Sequence, residues 1–122
     1  MDNKITVLYV DDEPINLMLF SINFKGKFNV ITAESGKAGL EILRKNQNIN
    51  VLISDMRMPG MNGIDFIRQA KVDFPTIICF ILTGFDITEE ITEALDSKLI
   101  HRYFSKPFKI DEIERSIVEI ID

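Results

Sequence analysis

Apolar residues fall along this chain in two alternating rhythms. Short runs rich in β-branched and aromatic side chains occupy residues 5–10, 28–32, 51–54, 76–82 and 100–104. Each run is continuous enough to predict a strand buried on both faces. Between and after the runs, apolar positions recur three or four apart, the spacing of one helix face. These positions are Leu17, Phe20 and Phe24; Ala38, Leu40 and Leu43; Ile64 and Ile67; Ile87, Ile91 and Leu95; and Ile110, Ile113, Ile117 and Ile120. Five strands alternating with five helices imply right-handed βαβ units, and hence an α/β fold with a doubly wound parallel sheet between two helical layers. No low-complexity linker interrupts the alternation, and no repeat is visible beyond it.

Composition narrows this picture. A chain of 122 residues is the size of one domain, expected to span residues 1–122. Its apolar runs are far shorter than the roughly 18 residues a membrane span requires. The opening stretch MDNKITVLYV lacks the long apolar segment of a signal peptide, so a soluble, cytoplasmic protein is expected. A net charge of −5 leaves no basic footprint for nucleic acid. The single cysteine, Cys79, excludes an intrachain disulfide and reads as a small core residue inside a strand. His101 is the only histidine and, without a second His or Cys, reads as a structural or surface residue.

In a doubly wound sheet, ligands gather at the carboxyl ends of the strands. The first strand ends in Asp11, Asp12 and Glu13, the third in Asp55, the fourth in Thr83 and Gly84, and the fifth in Ser105, Lys106 and Pro107. Any one of these residues suits a turn or a helix cap, but four strand ends together place carboxylates, a hydroxyl and an ammonium on one rim. Asp11, Asp12 and Asp55 brought close would repel one another, so the cluster calls for a cation or for raised pKa values. Hard oxygen ligands without a nearby His or Cys point to Mg²⁺. A metal beside a fixed lysine and a hydroxyl forms a receptor for a phosphoryl group, with Asp55 the candidate nucleophile.

The segments VLYVDDEP, VLISDMRMPGMNG, ILTG and YFSKPF, in this order and spacing, resemble the receiver domain of two-component response regulators over essentially the whole chain. The resemblance implies a flavodoxin-like (βα)5 fold of strand order 2-1-3-4-5, that of a chemotaxis regulator of this family. It implies that Asp55 takes a phosphoryl group from a phosphohistidine on a sensor histidine kinase or histidine phosphotransfer protein. Asp11, Asp12, Asp55 and the backbone carbonyl of Arg57 would hold Mg²⁺, Thr83 would hydrogen-bond the phosphoryl group, Lys106 would pair with it, and the Lys106–Pro107 bond would be cis. Thr83 and Tyr103 would form a switch acting on the surface of the fourth helix, fifth strand and fifth helix. Such a domain signals to an effector domain or output protein, with dimerisation on phosphorylation one outcome. It is an enzyme only in catalysing its own phosphorylation and dephosphorylation. It is compatible with a stand-alone regulator or shuttle and with a receiver from a hybrid kinase or larger regulator. Leu99 and Ile100 depart from the Gly-Ala frequent before the aromatic position, which bears on how the fifth strand rearranges.

Rival functions fit less well. A phosphatase of the aspartyl-phosphate type would need an aspartate where Arg57 stands, and a flavodoxin-like binding module would need a Gly, Ser or Thr-rich loop where DDEPIN stands. A docking module that has lost phosphorylation would not need all five key positions intact. Met56, Met58 and Met61 read as loop packing or partner contact, and a helix after them is expected to be capped near Asn62. In receivers the residues two beyond the acceptor and two beyond the switch hydroxyl tune hydrolysis, so the resemblance implies that Arg57 and Phe85, both large enough to shield phosphorus from water, give a slowly hydrolysed phosphoryl group. On the first helix, at 100° per residue, Leu17, Phe20 and Phe24 define the core stripe. Ile15, Leu19 and Ile22 then cluster on the opposite side, an apolar patch beside the acidic rim that reads as the docking surface for the phosphodonor.

Overall fold

The structure, a computed structural model, describes residues 5–46, 48–84 and 87–121. Strands and helices alternate as expected: β1 (Thr6–Val10), α1 (Pro14–Phe24), β2 (Asn29–Ala33), α2 (Gly36–Lys45), β3 (Val51–Asp55), α3 (Gly63–Asp73), β4 (Ile78–Thr83), α4 (Glu89–Asp96), β5 (Arg102–Ser105) and α5 (Ile110–Ile121). The strands form one parallel sheet in the order β2-β1-β3-β4-β5. No helix among the described residues is long and apolar enough to cross a membrane.

Strand side chains alternate between the two faces, so each central strand feeds two cores. Leu8, Val10, Leu52 and Ile81 pack with Leu43, Phe66, Ile67 and Ile91 under α2, α3 and α4. Val7, Tyr9, Ile53, Phe80 and Leu82 pack with Phe20, Phe24, Ile113 and Ile117 under α1 and α5. An aromatic ladder organises the second core: Tyr9 stacks on Phe20 at 4.3 Å between ring centroids, and Phe20 meets Phe24 at 4.5 Å. Truncating a buried ring such as Phe20 to alanine costs about 3–5 kcal/mol. On the other face α2 and α3 approach closely because position 39 is glycine. A Cβ there would lie 2.9 Å from the Phe66 ring.

Four local expectations are corrected. Only β1, β3 and β4 are buried on both faces. β2 and β5 are the edges of the sheet, where Ala33 and Phe104 are the buried residues of their strands. The run at 100–104 becomes a strand only from Arg102, because the Leu99 and Ile100 amides both donate to the Ala94 carbonyl at 2.9 and 3.2 Å and close α4. Lys98 takes a left-handed turn there, with φ of 63°. Ile87 precedes α4 and is exposed. The helix starts after Thr88, whose Oγ1 accepts the Ile91 amide at 3.3 Å. Strand β4 likewise begins at Ile78, after a turn in which the Ile77 amide reaches the Phe74 carbonyl at 3.2 Å.

Helix starts fix the loops at the carboxyl edge. Pro14 supplies the first turn of α1, Ser35 caps α2 through its Oγ at 3.0 Å from the Ala38 nitrogen, and Asn62 caps α3 through its Oδ1 at 2.8 Å from the Asp65 nitrogen. The cap at Asn62 falls where the sequence pattern places it.

Candidate functional site

Asp11 follows β1 directly. Its amide donates to the Ala33 carbonyl at 3.1 Å, which extends the β1–β2 ladder and leaves its fully buried side chain no freedom to leave the rim. Its carboxylate accepts four donors. Oδ1 accepts the Glu13 amide at 2.9 Å, and Oδ2 accepts the Tyr9 hydroxyl at 2.6 Å, the Asn16 side-chain amide at 3.2 Å and the Lys106 ammonium at 3.2 Å. Asp55 is the last residue of β3, and its Oδ1 lies 3.0 Å from Lys106 Nζ. One ammonium is thus shared by two buried carboxylates. Asp12, partly buried, completes the cluster: Asp11, Asp12 and Asp55 each offer an oxygen, all within 4.8 Å of one another.

The backbone around these groups is drawn in tightly. The Lys106 amide donates to the Thr83 carbonyl at 2.8 Å, which ties the β5–α5 connection to the end of β4, and the Lys106–Pro107 bond is cis. Thr83 is buried and ends β4 on the same rim. The turn after β3 folds back through the Gly63 amide, which donates to the Met56 carbonyl at 2.9 Å. Gly63 is required here because a Cβ would collide with the Asp55 carbonyl oxygen. Met56 and Met58 are buried against the core under α3, the loop packing expected of them, and Met61 packs partly buried beside them. His101 is likewise structural, its Nδ1 accepting the Cys79 amide at 3.4 Å, and Cys79 is buried.

Charge follows from this packing. Burial is the largest influence on Asp55 and raises its pKa. The Lys106 hydrogen bond opposes the rise, and the neighbouring Asp11 and Asp12 charges reinforce it. For Lys106, burial pulls the pKa down, but the bonds and charges of Asp55 and Asp11 outweigh it and the net shift is upward. Three carboxylates against one ammonium leave two formal negative charges on the rim. That excess equals the charge of a divalent cation, and an all-oxygen donor set is what Mg²⁺ requires.

Of the residues singled out in the sequence, Asp11, Asp12, Asp55 and Lys106 converge, and Thr83 lies on their rim. Arg57 is exposed on the loop two residues beyond Asp55. Phe85 lies outside the described residues. Tyr103 is on β5, 37% exposed, rather than in the core. On α1 the helical arithmetic holds. Leu17, Phe20 and Phe24 are buried, and Ile15, Leu19 and Ile22 are 65%, 43% and 62% exposed, joined by the exposed Met18. Sequence reasoning missed Tyr9, Asn16 and Gly63. The strand period of two places Tyr9 on the same side of the chain as Asp11, which was the available signal.

The response regulator receiver domain matches residues 7–118. The chain belongs to this family. Sporulation initiation phosphotransferase F of Bacillus subtilis is 32% identical over 112 residues, covering 91% of this chain and 89% of that protein. The hydrogenase transcriptional regulatory protein HoxA of Cupriavidus necator is 26% identical over 121 residues, 99% of this chain. The chain spans 25% of HoxA's length. Among solved structures, a receiver domain from Clostridium thermocellum superposes with a TM-score of 0.88 at 29% identity, covering 94% of this chain and 92% of that one. This receiver domain is therefore a signalling domain of the two-component type, rather than an enzyme of the ordinary kind.

Proposed function

We propose that residues 1–122 act as the phosphoacceptor of a two-component phosphorelay in the cytoplasm, with Asp55 the residue that carries the phosphoryl group. The observation that supports this best is the sharing of Lys106 between Asp11 and Asp55, at 3.2 and 3.0 Å, with Asp12 close enough to complete an oxygen cage.

A carboxylate oxygen of Asp55 attacks the phosphorus of a phosphohistidine. The P–O bond forms as the P–N bond breaks, and the departing imidazole nitrogen keeps the electron pair. Asp11, Asp12, Asp55 and the Arg57 carbonyl would hold Mg²⁺, which when bound neutralises the phosphoryl oxygens. Lys106, already 3.0 Å from the nucleophile, turns to the incoming phosphoryl group and balances the charge that Asp55 gives up. Thr83 donates its hydroxyl to the same group from the end of β4. Tyr103, exposed before this event, moves inward as Thr83 is drawn toward the phosphoryl group, which changes the surface formed by α4, β5 and α5.

Incubation with Mg²⁺ and acetyl phosphate should add one phosphoryl mass that is labile to hydroxylamine, and Asp55→Asn should abolish it. Unchanged labelling of that variant would refute the assignment.

The exposed Ile15, Leu19 and Ile22 on α1 serve as the docking patch for a helical histidine-bearing partner, a sensor kinase or phosphotransfer protein. Leu19→Asp should slow transfer from that partner by about tenfold, equivalent to about 1.4 kcal/mol, while labelling by acetyl phosphate stays near wild type. Equal loss with both donors would assign the residue to the fold instead.

A further inference from the structure

Tyr9 is fully buried, yet it carries a hydroxyl that the core around it does not need. Its ring stacks on Phe20 with an interplanar angle of 17° and a centroid separation of 4.3 Å, packing that a phenylalanine would reproduce. The hydroxyl reaches two residues along β1 to Asp11 Oδ2 at 2.6 Å, the length of a bond from a hydroxyl to a charged carboxylate.

Three donors meet on that one oxygen, and they differ in kind. Lys106 sits on a long flexible stem and is shared with Asp55. Asn16 is partly exposed on α1 and more distant, at 3.2 Å. Tyr9 makes the shortest bond and is the donor held rigidly, clamped between strand and helix. When Lys106 turns away toward a phosphoryl group, Asp11 loses one of its three Oδ2 partners and Tyr9 keeps the carboxylate plane fixed.

We propose that Tyr9 is a positioning residue for Asp11, holding that carboxylate in the orientation in which it binds Mg²⁺. The inference rests on the reading that the cluster takes Mg²⁺. It assigns Tyr9 the part that hydrogen-bonded neighbours of metal ligands play in general, where their loss weakens metal binding by about 10–100-fold.

The test titrates the full chain with Mg²⁺ by calorimetry as wild type, Tyr9→Phe and Phe20→Leu. Tyr9→Phe should raise the Mg²⁺ Kd by about tenfold or more, and its labelling by acetyl phosphate, slow at low Mg²⁺, should recover toward wild type at saturating Mg²⁺. Phe20→Leu, which loosens the same packing but keeps the hydroxyl, should lower the melting temperature and leave the Kd near wild type. In the wild-type protein, the protected phenolic proton should give a downfield resonance that shifts on adding Mg²⁺. An unchanged Kd in Tyr9→Phe, an equal loss in Phe20→Leu, or a phenolic resonance indifferent to Mg²⁺ would overturn the proposal. A wild-type protein that binds no Mg²⁺ would reject the metal reading and this inference together, whereas normal wild-type binding with an unaffected Tyr9→Phe rejects the inference alone.

Discussion

At the amino end of the sheet, Asn50 accepts the Thr6 amide on its Oδ1 at 2.8 Å and donates its own amide to the Thr6 carbonyl at 2.9 Å, and His101 brackets Cys79 in the same manner. Those polar groups complete the backbone ladder. At the carboxyl end, Asp11, Asp12, Asp55 and Lys106 crowd together, and the ladder needs none of their side chains. The first arrangement lowers the free energy of the fold as it stands. The second gathers like charges at partly desolvated positions and is stabilised only in part by one lysine. A fold keeps such an unfavourable cluster where a ligand completes it, and the contrast between the two ends marks the functional end without reference to any motif.

Substitutions at the two ends should separate function from stability. The largest effect expected is on phosphorylation. Lys106→Ala should slow labelling by acetyl phosphate by about 10²-fold, the usual loss when a group facing developing charge is removed, and Asn50→Ala should leave the rate unchanged. A comparable loss in both would erase the contrast.

The pH dependence of the metal-free protein should sharpen it. Burial raises the folded pKa of Asp55, so the folded state binds more protons than the unfolded state between the two values. Its contribution to stability is therefore full below the ordinary carboxylate range and is lost as pH rises through the raised value. Urea denaturation in EDTA should show this loss in the wild type and not in Asp55→Asn, and Mg²⁺ should offset it. At the amino end the sign reverses. Burial chiefly, with Lys71 assisting, lowers the pKa of His101, so its contribution is present above the unfolded value and lost as pH falls through the folded one. Parallel curves for wild type and Asp55→Asn would show that the carboxylate carries no such strain.

The smallest effect belongs to the ladder itself. Asn50→Ala removes the acceptor of the Thr6 amide and should cost about 1 kcal/mol, measured as a shift in urea midpoint at constant slope. A loss of phosphorylation without that shift would contradict the division of labour.

Much of the site was legible because each apolar run stops where its chemistry begins: Val10 before Asp11, Ser54 before Asp55, Leu82 before Thr83. The helical angle also sorted α1 correctly, with Phe20 inward and Leu19 outward. What escaped depends on relations between elements. Continuous runs at 28–32 and 100–104 look as buried as the run at 51–54, and only the strand order makes β2 and β5 edges. Ile87 keeps the helical spacing, yet the Thr88 cap starts α4 after it. Tyr9 reads as a core aromatic, and so it is, but its bond to Asp11 is a side-chain contact that the local apolar pattern does not reveal.

The central claim is that Asp55 carries the phosphoryl group, and the most direct measurement maps the modified residue chemically. The protein is labelled with acetyl phosphate in Mg²⁺, reduced with borohydride, which converts an aspartyl phosphate to homoserine, digested and sequenced by mass spectrometry. The account predicts homoserine at position 55, with Asp11 and Asp12 unmodified. Homoserine at position 11 or 12 with Asp55 intact, or a phosphoryl group on a residue outside the carboxylate cluster, would contradict it.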